Sequence, residues 1–249
     1  IREVDAIIHM LRCFDSNQIQ NVNKSVDPIR DIEIIETEMK LADLESIEKR
    51  LTKKNKKVND EIDYDILKNA YKIINENKSF DILYEKFSSK ELKMSGLLSL
   101  KPKLYVCNVD EKSVTKGNTY TEIFEKKFGD INTIIISAEI ENQINQLSLE
   151  EKSDYMNLIN LNDTGLNNLI KKGYKLLDLE TFFTSGPEES RAWTIKKNCL
   201  APQAAGEIHS DFEKGFIKVE TVSYLDFIKY NGWNDSKNNG KMRLEGKDY

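Results

Sequence analysis

The stretch LYVCNVDE, Leu104 to Glu111, decides how this chain folds, and TIIIS, Thr133 to Ser137, is its counterpart. Each is a short apolar run that closes on polar residues. That is the composition of a strand buried on both faces of a parallel sheet, with its last residues entering a loop. Between them, Thr119 to Phe128 has helical spacing and stops at Gly129, so the order is strand, helix, strand. Ser148 to Glu151 has the spacing of a capping box opening a further helix, and Leu166 to Leu177 gives another. Alternation of this kind predicts an α/β layer. Upstream, AIIHMLRCF at 6–14 reads as one more buried strand of the same sheet.

A long helical segment separates that first strand from LYVCN. Asp27 can cap, Pro28 suits a first helical position, and Asp31 and Glu33 favour the positive end of the dipole. Ile32, Ile35, Met39 and Ala42, then Leu44, Ile47 and Leu51, predict an amphipathic helix from Pro28 to about Lys53. Ile62, Ile66, Ala70 and Ile73 form a second stripe, and Phe80, Leu83, Tyr84 and Phe87 a third. Ser88 to Glu91 is a second capping-box pattern. Residues 28–98 thus read as a helical hairpin or coiled-coil arm whose stripes are its own core. From Leu179 the style changes to LETFFTSG, SRAWTIK and FIKVETVSY, strand-like stretches divided by turns, with a short helical stripe at Leu225, Phe227, Ile228 and Tyr230. A small α+β domain is the reading there.

The bulk numbers exclude several classes. With 249 residues, 39% hydrophobic and 32% charged, the chain can build cores under a well-solvated surface. No window approaches the ~18 apolar residues of a membrane span, and no signal-peptide pattern opens it, so a cytoplasmic address without a membrane is expected. Three cysteines, Cys13, Cys107 and Cys199, lack CxxC spacing, and His9 and His209 are too far apart for a metal cluster, so no metal site is expected from these residues. The net charge of −5 argues against broad nucleic-acid binding. Locally, however, KRLTKKNKK at 49–57 is strongly basic. It reads either as a solvated helix end or as an RNA contact near the tip of the arm.

The residues able to carry chemistry follow the two buried strands. Asn108-Val109-Asp110-Glu111 and Ser137-Ala138 emerge at the carboxyl edge, where doubly wound sheets bind ligands. In a P-loop GTPase an Asn-Lys-x-Asp motif and a Ser-Ala loop hold guanine at this edge. Here Val109 replaces the Lys and Glu111 the Asp. The longer carboxylate crowds a guanine edge and the Lys stem over the base is gone, so adenine is favoured. Taken alone, the same four residues also read as a polar turn after a strand.

The combination is more specific. IREVDAIIHMLRCF, DPIRDIEIIETEMKLADLESIEKR, LKPKLYVCNVDE and the whole run from GYKLLDLETFF to GKMRLEGKDY resemble the YchF-type Obg-like ATPases, OBG-type P-loop NTPases of the TRAFAC class with a TGS domain. Only about 58–87 match loosely. The resemblance implies a partial P-loop NTPase-type parallel sheet at 1–27 and 99–178, an inserted helical coiled-coil arm at 28–98, and a C-terminal β-grasp (TGS) domain at 179–249. It implies a ribosome-associated enzyme that binds and hydrolyses ATP with Mg²⁺ as a translation-linked switch, GTP being left open. Its partners would be the large subunit or the whole ribosome, with rRNA or tRNA contacts. Asn108, Val109 and Glu111 would face the adenine, Ser137 and Ala138 would close the pocket, and His9 would match a histidine assisting hydrolysis. His9 reads equally as a core histidine, and His209, with Asp211 nearby, as structural. No GxxxxGK[ST] or second-switch DxxG occurs in these residues, and the family continues past Tyr249 with another strand. The expectation is a chain truncated at both ends, inactive by itself, with the Mg²⁺ ligands in the missing N-terminal segment. The alternative is a non-catalytic ribosome- or RNA-binding module using the basic arm tip and the TGS surface.

Overall fold

Three parallel strands, β1 (Ile7–Arg12), β2 (Lys103–Asn108) and β3 (Thr133–Ile136), pair in the order β1-β2-β3. In this computed structural model, residues 2–17, 19, 23, 25–52, 61–130 and 132–249 are described. The chain divides into two compact units, 1–173 and 174–249. The register runs from Ile7↔Lys103 to Arg12↔Asn108, and from Tyr105↔Thr133 to Asn108↔Ile136. Arg12, Asn108 and Ile136 therefore stand level at the carboxyl edge.

In the central strand β2, Leu104, Tyr105, Val106 and Cys107 are all buried, as its unbroken apolar run predicts. The first strand differs from expectation. His9 and Leu11 are buried on one face, but Ile8 and Met10 on the other are 52% and 60% exposed. An apolar run shows that both faces can be buried, whereas the cover comes from other elements. Here that cover lies on the face of Leu11 and Cys13. It is α1 (Pro28–Thr52), which contributes Ile32, and α5 (Thr119–Phe128), which contributes Phe124. Tyr105, Phe124 and Phe128 complete this core with ring centroids 4.6–5.4 Å apart.

The arm is a packed group of helices rather than a bare hairpin. It comprises α1, α2 (Glu61–Asn75), α3 (Asp81–Lys86) and α4 (Ser89–Met94). Asp27 opens α1 by accepting the Arg30 N–H at 3.0 Å. Ile47 of α1 meets Ile66, Leu67, Ala70 and Ile73 of α2, Leu83 of α3 and Leu92 of α4, with Leu97 and Leu100 closing the cluster. Each of these Ile and Leu side chains contributes about 1.5–3 kcal/mol by leaving water. The buried stripe of α1 is Ile32, Met39, Asp43 and Ile47. Ile35, expected inside, is 37% exposed. The Ser88–Glu91 capping box forms as its spacing predicts. Arg50 ties three helices together: Nη2 donates to both Asp63 oxygens at 2.8 and 3.0 Å, and Nη1 donates to the Ser95 carbonyl.

After β2 the chain alternates as an α/β layer should. Asn118 caps α5 and Gly129 ends it with φ +81, a conformation in which a side chain would be strained. Beyond β3 come α6 (Ala138–Asn145), α7 (Leu149–Leu158) and α8 (Gly165–Leu176). The Ser148–Glu151 box opens α7.

The second unit has two antiparallel ladders. β4 (Leu179–Ser185) pairs with β5 (Ser190–Lys196), and β6 (Val219–Thr221) with β7 (Arg243–Glu245). Between β5 and β6 lie α9 (Ala201–Ile208) and α10 (Ser210–Lys214), and between β6 and β7 lie α11 (Tyr224–Lys229) and α12 (Trp233–Asn238). The hairpin register from Leu179↔Lys196 to Ser185↔Ser190 follows the two expected strands closely. The third, expected over 216–224, is ladder-paired only at Val219–Thr221, because pairing needs a neighbour and β7 supplies a short one. Among the described residues, no helix is long and apolar enough to cross a membrane.

Candidate functional site

At the carboxyl edge the strand ends are stitched together by Asn108. Its carbonyl accepts the Cys13 N–H at 2.8 Å, and its side-chain Oδ1 accepts the Ala138 N–H at 3.0 Å. The Val109 N–H donates to the Ile136 carbonyl at 2.8 Å. One asparagine thus holds the ends of β1 and β2 and the start of α6 in one place. Among the described residues, its amide nitrogen has no hydrogen-bond acceptor.

The next residues divide their work. Asp110 is consumed locally, accepting the Ser113 N–H at 3.1 Å to cap a short 3₁₀ turn, Glu111–Ser113. Glu111 is exposed, and its Oε1 accepts from Gln143 Nε2 of α6 at 2.9 Å. Ser137 and Ala138 are not a loop. Ser137, 1% exposed, is the N-cap of α6, and Ala138 is its exposed first residue. The physical reason lies in the sequence around them: Ser is a strong N-cap, and Glu139 and Glu141 occupy the first turn, where the dipole favours acids.

The fold brings Asn108, Glu111, Ser137 and Ala138 to one edge, with Gln143 and Tyr155 beside them. Two expected residues fall elsewhere. Val109 is 3% exposed and belongs to the core of Leu11, Cys13, Ile32, Tyr105, Cys107 and Phe124, so its side chain does not face a base. Strand alternation explains this, because Tyr105, Cys107 and Val109 share one face. His9 lies three residues before Arg12, the register partner of Asn108, which is about 10 Å short of the edge at strand rise. It is 5% exposed, its ring stacks on Tyr105 at 5.6 Å, and its Nε2 has no hydrogen-bond partner. Burial, and secondarily Lys103, hold its pKa below the usual histidine value, while Glu36 opposes them. This is a neutral core histidine, remote from the residues at the edge. Burial, with Glu36 adding to it, pushes the Tyr105 hydroxyl up to about 12, so it stays protonated.

Sequence reasoning missed Gln143, which meets Glu111 across 32 residues of chain, and Tyr155, which meets Gln143 across 12; both contacts exist only in the tertiary structure. His209 caps α10, accepting the Asp211 N–H at Nδ1, a structural role. In the basic run, Lys49 pairs with Glu45 and Arg50 with Asp63. Lys53, Lys54, Lys56 and Lys57 lie outside the described residues. Among the described residues, no group of three His, Cys, Asp or Glu side chains could hold a metal ion.

Comparison with known proteins agrees in one direction. The family model YchF-GTPase_C, described as a protein of unknown function (DUF933), matches residues 179–249. The "Ribosome-binding ATPase YchF" of Bacillus subtilis (strain 168) is 42% identical over 261 residues, covering 100% of this chain and 71% of that protein. Its namesake in Escherichia coli O157:H7 is 40% identical over 262 residues, covering 100% and 70%. Among solved structures, the Schizosaccharomyces pombe YchF GTPase superposes with a TM-score of 0.74 at 32% identity, again covering 100% of this chain and 70% of that one.

Proposed function

This chain belongs to the YchF family, and on that premise we propose that it provides the base-recognition side, helical arm and C-terminal domain of a ribosome-associated ATPase. The observation that supports it most is the Asn108 side chain, which bridges to the Ala138 N–H with exposed Glu111 beside it. An asparagine oriented in this way turns its amide nitrogen toward a purine ring nitrogen. Glu111 offers an acceptor to an exocyclic amine, such as the donor of adenine. The methyl group of Ala138, at the exposed start of α6, would lie along the base plane, with Ser137 holding that helix start in position.

The bound nucleotide would be ATP, with GTP as the competing ligand. Mg²⁺ would accompany the phosphates, and the residues at this edge do not fit it. Asp110 is engaged in a cap and Glu111 with an amide, so neither joins a cluster of oxygen ligands. We assign phosphate and Mg²⁺ contacts to residues outside these 249, in keeping with the longer relatives, and expect the isolated chain to show no turnover. The ribosome is the proposed partner, approached through the arm and the C-terminal unit as a translation-linked switch in the cytoplasm.

Two assays with the full-length protein test this reading. ATP binding should weaken about tenfold in Asn108→Ala, which removes the bridge and the ring contact together. Co-sedimentation with ribosomes should persist in that variant. Unchanged ATP affinity would refute the assignment of the base site. Salt-sensitive ribosome binding in a protein that binds no nucleotide would favour a purely RNA-binding module instead.

A further inference from the structure

Glu111 does not hang free at the edge of the site. Gln143 Nε2 donates to its Oε1 at 2.9 Å and lies 3.4 Å from Glu139 Oε1, while the Gln143 carbonyl oxygen accepts from the Tyr155 hydroxyl. Two carboxylates on one side demand the NH₂ end of the amide, and the hydroxyl on the other side matches its oxygen, so the orientation of Gln143 is determined by its neighbours. Three elements converge on this contact: the 3₁₀ turn carrying Glu111, α6 carrying Gln143, and α7 carrying Tyr155.

We propose that Gln143, backed by Tyr155, positions Glu111 and so sets the selectivity of the site for a purine with a 6-amino group; this rests on the nucleotide reading above. A free carboxylate takes the paired N1–H and N2–H donors of guanine with both oxygens at once, the strong bidentate arrangement. With Oε1 held by the Gln143 amide, Glu111 presents Oε2 to the base as a single directed acceptor. One acceptor suits the one exocyclic amine of adenine and forfeits the bidentate grip on guanine. Gln143 touches Glu111 rather than the base, so it is a positioning residue. Tyr155 acts one step further back by fixing the amide.

The test uses the full-length protein and three triphosphates: ATP, GTP and purine riboside triphosphate, which is ATP without the 6-amino group. Their phosphates are identical, so affinity ratios isolate the base edge. Affinities are read by displacement of a fluorescent nucleotide, with thermal melts to confirm folding. Wild type should prefer ATP to both competitors. Gln143→Leu should cut the ATP-to-purine and ATP-to-GTP preferences about three- to tenfold, the worth of one oriented charged hydrogen bond. Tyr155→Phe should shift the same ratios in the same direction by less. The double variant should go no further than Gln143→Leu, because the hydroxyl acts only through the amide. A folded Gln143→Leu that keeps the wild-type ratios overturns the proposal, as does a Tyr155→Phe effect that adds in full on top of it. If Gln143→Leu fails to fold, the ratio shift in Tyr155→Phe decides alone, and no shift there overturns the proposal. A wild type that binds all three equally, or none, instead overturns the base-site reading on which the proposal depends.

Discussion

Asp43 sits at the centre of the arm's attachment, and replacing it should do as much damage as truncating a side chain of the apolar stripe around it. The side chain is 0% exposed on α1. Its Oδ1 accepts the Leu98 N–H at 2.9 Å and its Oδ2 accepts the Ser99 N–H at 2.8 Å, both more than 50 residues away. Arg2 Nη1 stands 4.0 Å from Oδ1, and Arg2 Nη2 donates to the Ala42 carbonyl at 3.0 Å. One carboxylate thus satisfies the backbone at the point where the chain leaves the arm for β2. Asp43→Ala would strand two buried N–H groups and open a small void. Each orphaned donor costs about 1–3 kcal/mol, so the two together cost about 2–6 kcal/mol. For a unit of this size that corresponds to a fall of roughly 4–24 °C in midpoint. Asp43→Asn should cost about half as much, because its single oxygen serves one N–H while its NH₂ confronts the other. Circular dichroism melts give the midpoint, and hydrogen exchange gives the location: Leu98 and Ser99 amides should lose protection ahead of the sheet. An Asp43→Ala protein within about 1 kcal/mol of wild type, with those amides still protected, would refute the reasoning.

Other positions give further tests. At Gly165, an added Cβ would meet Ile136 Cγ1 at 2.0 Å, and the Gly165 N–H already donates to Glu141 Oε1 at 2.6 Å. Gly165→Ala should therefore destabilise by about 1–3 kcal/mol through overpacking, and a neutral effect in urea titration would contradict the close approach of α8 to β3. His9 makes a pH prediction. Its folded pKa is lowered by burial and by Lys103, with Glu36 opposing and neutral Tyr105 stacked beside it. The stability it supports is complete above the unfolded value of 6.5 and is lost as pH falls through the lower folded value. His9→Leu should flatten stability below about pH 6.5. A variant whose acid limb matches wild type would assign that loss to other groups.

Much of the first unit was legible because its signals are local. The Ser88–Glu91 and Ser148–Glu151 boxes, the Asp27-Pro28 start of α1 and the stop of α5 at Gly129 each depend on residues within one helical turn. The apolar runs of β2 and β3 likewise carry their own burial requirement, and the resemblance of quoted segments to one family agrees with the relatives found. The helices α9, α10 and α12 and the strand β7 were missed, since each is only three to eight residues long, too short for periodicity to declare it.

What tertiary structure alone decided is which side of each element is covered and which distant groups meet. The same alternation that marks β2 as a strand turns Val109 inward, yet only the packing of α1 and α5 makes that side the core. Ile8 and Met10 are as apolar as Leu11 but lie on the face that α1 and α5 do not cover. A stripe on α1 cannot announce that Asp43 is buried, because the N–H groups that satisfy it arrive from Leu98 and Ser99. The Glu111–Gln143–Tyr155 contact is of the same kind. Hydrogen bonds between elements depend on backbone placement that no local propensity encodes, so the sequence names the strand ends at the site and the fold determines which side chains hold them.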